Sequence, residues 1–254
     1  MTVRETIATR ETARPLAKRD TDHRLFLAAA ILFPLIVIIG FAKSYYLKSV
    51  FDPSPLPSLL VHVHGLAMTA WVALFVTQVW LVRSHQVALH RKLGVAGVLL
   101  AVLVVVVGFF TAIAAAKNGS KGFPPNIPPL AFVAMPIFDL VMMVVLFGAA
   151  IALRHRPADH KRLMVLVALN LIAPALARVP VPSLIALGPL FFFGAPTLLA
   201  LLALGYDRWQ SGRMNRMFAI GAVLLIASYP LRLVVSGTET WMRFAGWLTG
   251  FSIV

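Results

Sequence analysis

Side chains able to do chemistry are sparse in this 254-residue sequence, and only a few fall inside its long apolar runs. His62 and His64 lie in one such run, close to its start, and Asp139 lies about ten residues into another. Asp139 is the one carboxylate that the sequence places within a run read as membrane-spanning. Asn170 sits in mid-run, Arg178 at a run's end, and Tyr229 and Arg232 flank Pro230. Ionisable groups in hydrocarbon are costly, so those that occur are functional suspects by default.

Three chemistries suit these residues. His62, His64 and Asp139 would supply a non-haem metal site of N,N,O type. In a regular helix, residues two apart diverge by about 200°. The two imidazoles therefore face one centre only if Pro55 and Pro57 delay the helix start. A haem-type alternative pairs His64 with Met135 as axial ligands. His64 with Asp139 would instead form a proton-relay pair. Arg178 and Arg232, with Asn170 and Tyr229 beside them, would hold a small anion. The bland alternative is that the polar groups hydrogen-bond between helices while the arginines sit at the headgroups.

A second set of histidines is patterned. His85-Gln-Val-Ala-Leu-His90-Arg-Lys-Leu93 and His155-Arg-Pro-Ala-Asp-His160-Lys-Arg-Leu163 match at an offset of 70 residues. Each reads His-x-x-Ala-x-His, two basic residues, then Leu at the start of an apolar run. Asn215-Arg216-Met217 stands at the corresponding place of a degraded third copy. The pattern suggests a repeated helix hairpin. Its four histidines suit a metal, proton or lipid-phosphate site, or simple snorkelling at a helix start.

The elements that must position these residues follow from composition. The chain is 60% hydrophobic and only 13% charged, with mean hydropathy +0.88. Ordinary soluble domains are nearer half apolar and a quarter charged, so a soluble enzyme is excluded. A bilayer core needs about 20 apolar residues per helix. Seven runs qualify: Leu25–Ala42, Leu59–Val82, Leu93–Ala116, Pro129–Leu153, Leu163–Ala177, Ser183–Gly205 and Met217–Val235. Before them, residues 1–24 read as a disordered tail. After residues 25–240, the segment 241–254, with Trp241, Phe244, Trp247 and Phe251, reads as an interfacial helix. The first run lacks a cleavage signal and reads as a retained helix. The loop from Lys117 to Pro129 reads as an ordered outer lid. Phe191, Phe192 and Phe193 read as packing bulk.

Sixteen of the 23 Lys and Arg residues fall in the tail and in alternate connections. The positive-inside rule then sets the N-terminus in the cytoplasm and the C-terminus outside. The net charge of +14 is thereby a topology signal, which argues against nucleic acid as a partner. The partners implied are the bilayer and a membrane-protein neighbour or second copy. The implied location is a bacterial inner membrane. With no cysteine, iron–sulfur clusters and thiolate metal sites are excluded. No lysine lies beyond Lys161, which excludes a retinal Schiff base on the last helix.

His64-Gly65-Leu66 through Trp71, Leu74-Phe75, Gln78 and Leu81-Val82, followed by His90-Arg91-Lys92-Leu93-Gly94, carry a resemblance. With His160 through Met164 and Tyr229 through Arg232, they resemble a group of uncharacterised bacterial multi-helix membrane proteins of this length. A more distant similarity, at the level of histidine-rich helix ends, is to haem-handling membrane proteins. The expectation is thus an all-α, seven-helix polytopic protein with a site in the outer half of the bundle. Its first reading is a transition metal or haem serving redox chemistry or assembly of a respiratory complex. Its second is a proton-coupled transporter or sensor of a small anion, and its third a structural subunit without ligand.

Overall fold

A computed structural model describes residues 14–52, 54, 58–118 and 127–250, with backbone alone over 14–23. The described residues are helical, with no strand among them. The long helices are α1 (Arg14–Phe41), α2 (Leu59–Arg83), α3 (Val87–Asn118), α4 (Ala134–Ala152), α5 (Pro157–Leu176), α6 (Gly194–Ser211) and α7 (Arg216–Ser236). A shorter α8 (Glu239–Thr249) follows. Six stretches are long and apolar enough to cross a membrane, those built on α1 to α4, α6 and α7. They present large apolar side chains such as Ile38, Leu99 and Val223 on the outside of the bundle, as a lipid-facing surface requires.

α5 is different. It opens on Asp159, Lys161 and Arg162, yet most of its length is buried, from Arg162 to Leu176. It packs against α1, α4, α6 and α7 at once and forms the centre of the bundle. Its small residues allow this. A Cβ added at Gly40 of α1 would stand 2.2 Å from the Ala175 carbonyl oxygen, so the two backbones are in direct contact. The α2–α3 hairpin packs outside this centre, α2 on α1 and α3 on α4.

Two features differ from the sequence expectation. The first helix begins at Arg14, so it takes in residues expected in the disordered tail; residues 1–13 lie outside those described. The run Ser183–Gly205 is interrupted, because Pro182 and Pro189 each open a single helical turn and Gly188 adopts φ 53°. The continuous helix starts only at Gly194 and runs on to Ser211. Pro55, Pro57, most of the expected lid (119–126) and residues 251–254 lie outside the described residues.

α8 folds back over the ends of α3 and α4. Trp241 is 7% exposed, and its indole N–H donates to the Leu130 carbonyl at 2.9 Å. It sits in a small cluster with Ala116, Val133, Ala134 and Ala245. Of the expected interfacial aromatics, Trp241 is therefore a core residue. Trp247, 75% exposed, and Phe244 remain on the surface.

Candidate functional site

Arg232 is the largest fully buried side chain among the described residues. α7 carries it one turn beyond Ser228, with Pro230 between them. Its Nε donates to the Ser228 carbonyl at 3.2 Å and Nη2 to the Ser228 hydroxyl at 3.0 Å. Its Nη1 meets Asp139 Oδ1 of α4 at 2.5 Å and also reaches the Met135 carbonyl at 3.4 Å. The guanidinium lies over the rings of Phe193, Tyr229 and Phe138, at 5.1, 5.1 and 5.7 Å. A desolvated arginine over aromatic faces gains cation–π attraction, and the carboxylate makes the buried unit neutral.

α5 adds the next contact. Asn170, fully buried, donates from Nδ2 to the backbone carbonyl of Asp139 at 2.8 Å. Its own Oδ1 has no partner, nor does the hydroxyl of Tyr229. Tyr229 is 3% exposed and stacks on Phe193, centroids 4.9 Å apart. Buried polar atoms without partners are uncommon in folded proteins, and these two flank the ion pair. Phe193 and Tyr229 also form part of the wall of an apolar groove of about 480 Å³ that opens at the bundle surface between Leu190, Gly194, Val223 and Leu233.

The structure thus brings together Asp139, Asn170, Tyr229 and Arg232, with the main chain of Met135. It separates the histidines from them. Among the described residues, no three His, Asp or Glu side chains gather closely enough to hold a metal ion. His62, His64 and Asp139 therefore do not form the N,N,O set expected from sequence. His62 is exposed, as the two-residue spacing on a regular helix dictates. His64 faces α3, its Cε1 3.8 Å from the Cβ position of Gly108, where Leu140 also packs. Its Nδ1 is buried without a partner, and no hydrogen bond joins it to Asp139. Leu140 and Asp139 are neighbours in sequence and so point about 100° apart on α4. No direct hydrogen bond thus builds the expected proton-relay pair. Gly65 makes room for the Tyr45 ring, which lies 2.2 Å from its Cβ position. Met135 packs its side chain between the two apolar clusters. Arg178 is exposed at the end of α5, donates to the Pro174 carbonyl at 2.8 Å and covers the Phe41 ring. It does not join Arg232.

At the other end of the bundle the connections interlock. Asn215 caps α7 by accepting from the Phe218 N–H at 2.8 Å, and donates to Asp159 at 2.7 Å. His90 and His160 come together, ring centroids 6.4 Å apart, while His85 and His155 stay exposed. A second buried ion pair lies nearby. Arg162 Nε donates to Asp207 Oδ1 at 2.8 Å, and Nη2 contacts the same oxygen. The sequence reading missed Asp207, because ending the sixth run at Gly205 left it in a connection. The available signal was that no proline and no further glycine follows Gly205 before Gly212, which closes the helix at φ 70°. Compared with known proteins, the chain matches no family model, no curated sequence and no solved structure.

Proposed function

We propose that this is a seven-helix membrane protein, with α5 completing the bundle, that binds a small anion together with a proton at the Asp139–Arg232 pair. The orientation that accompanies this reading has the α2–α3, α4–α5 and α6–α7 connections in the cytoplasm of a bacterial cell. The α2–α3 and α4–α5 hairpins are copies of one unit in this reading, and the ion pair lies in the half of the bundle facing outward.

The observation that carries the reading is a wholly buried arginine neutralised by one carboxylate, beside a tyrosine hydroxyl that has no partner. A net charge cannot be left in hydrocarbon cheaply. An anion entering alone would leave the site with net charge −1 alongside Asp139. If Asp139 takes a proton at the same time, Arg232 passes to the anion and the site stays neutral. Tyr229 supplies a hydrogen-bond donor for the anion, and Asn170 Oδ1 an acceptor for a protonated ligand or water. Proton and anion are thereby bound as a neutral couple, which is the coupling a proton-linked transporter or sensor needs. A resident metal is not required by this chemistry.

The test is thermal unfolding of the purified protein with formate, acetate, lactate or phosphate at pH 5 and pH 8. At least one anion is expected to raise the Tm, more strongly at pH 5. Asp139→Asn, neutral at every pH, is expected to make that response independent of pH, and Arg232→Gln to remove it. A wild-type protein indifferent to all four anions overturns the reading. So does an Asp139→Asn variant that keeps the pH dependence.

A further inference from the structure

The His90–His160 contact lies at the end of the bundle away from the ion pair and plays no part in anion binding. Each histidine is the fourth residue of its helix, His90 in α3 and His160 in α5. His160 Nδ1 sits 2.8 Å from the Ala150 carbonyl. A carbonyl only accepts, so Nδ1 carries the proton and Nε2 presents a lone pair. This carbonyl-anchored imidazole is the arrangement that orients histidines as metal ligands. His90 Nδ1 is buried without a partner, as is Gln78 Oε1, while Gln78 Nε2 holds the His90 carbonyl at 3.2 Å. Two buried polar atoms without partners, His90 Nδ1 and Gln78 Oε1, thus belong to residues joined through the His90 carbonyl.

The ring spacing leaves room for one ion between the two imidazoles. With metal–N distances of about 2.0 Å and each nitrogen about 1.1 Å from its ring centre, two imidazoles in line across one ion place their centroids about 6.2 Å apart, against about 5.1 Å at a tetrahedral angle. The observed separation is 6.4 Å, with ring planes at 78°. No third His, Asp or Glu joins the pair among the described residues, so a four-coordinate divalent ion lacks its ligands. Imidazole suits copper, and a d¹⁰ monovalent ion is satisfied by two donors in line. Arg91 follows His90 directly, and Arg162, two residues past His160, is neutralised by Asp207. In so basic a setting one added charge costs less than two. We propose that His90 and His160 bind a single Cu(I) ion in a two-coordinate site beside Gln78.

The test is a titration of the purified full-length protein against the Cu(I)–bicinchoninate complex under anaerobic, reducing conditions. One equivalent of copper is expected to transfer to the wild type. The affinity is expected to fall at least 10-fold in His90→Ala and in His160→Ala, and to stay unchanged in a His85→Ala/His155→Ala double variant. X-ray absorption of the copper-loaded wild type, which needs no variant to fold, is expected to show two nitrogen neighbours in line. Failure of the wild type to take copper leaves the rings a simple edge-to-face contact and overturns the proposal. Undiminished binding in a His90→Ala/His160→Ala double variant overturns it as well, as does a copper centre with four neighbours.

Discussion

At the scale of single residues, the two buried ion pairs govern what substitutions do. Removing one partner of a buried pair strands the other charge, at a typical cost of about 3–5 kcal/mol. Asp139→Leu or Arg232→Leu alone is therefore expected to lower stability by that amount in detergent unfolding. The double substitution is expected to recover most of the loss, since an apolar pair of similar volume needs no solvation. Arg162→Met and Asp207→Leu form a parallel cycle with the same signature. A double variant no more stable than its singles would show that the pairs hold the helices by more than mutual neutralisation. These pairs also mark the limit of reading the sequence. Asp139 and Arg232 could each be picked out as costly inside an apolar run, but their pairing depends on which face each helix turns inward. Arg162 looked like one more basic residue of a connection, because its carboxylate stood beyond the assumed end of α6.

At the scale of helices, small residues decide how closely elements approach. Gly40 and Ala175 bring α1 and α5 into backbone contact, where no flexible side chain can yield. Gly40→Val is expected to cost more than the ~1–3 kcal/mol usual for overpacking, read as lost thermal stability or expression. Gly194→Ala is the matching control, since a Cβ there meets nothing within 4 Å. Most helices were legible from hydropathy alone, which reports length and burial well. α6 was not, since its apolar run continues through Pro182, Gly188 and Pro189 while the backbone does not. α5 looked merely short, because a window of hydropathy cannot show that a helix is enclosed by protein and not by lipid. The two-residue spacing of His62 and His64 holds the reason they part on a regular helix, although the expected metal site placed them together. The meeting of His90 and His160 was legible only as a repeated pattern, since the packing of α3 and α5 ends lies outside any local rule.

For the molecule as a whole, the orientation proposed above rests on the sidedness of the charges. With no native cysteine, single cysteines can be placed at Ser84, in the α2–α3 turn, and at Gly237, between α7 and α8. A membrane-impermeant maleimide added to intact cells is expected to label the Gly237 position alone, and to reach Ser84 only after the cells are opened. The reverse pattern would place the basic connections outside and invert the orientation assigned to the ion pair.

The enclosure of α5 also bears on how the chain enters the bilayer during synthesis. A segment opening on Asp159, Lys161 and Arg162 has a poor claim to lipid by itself, because charged residues oppose insertion. Its arginine finds Asp207 only once α6 exists, and Asn170 finds its full surroundings only with α7. Nascent chains released after residue 180 are therefore expected to leave α5 accessible to protease, whereas chains extended through residue 236 protect it. On the proposed seven-helix reading, membrane integration of α5 is expected to be a late event, dictated by segments translated after it.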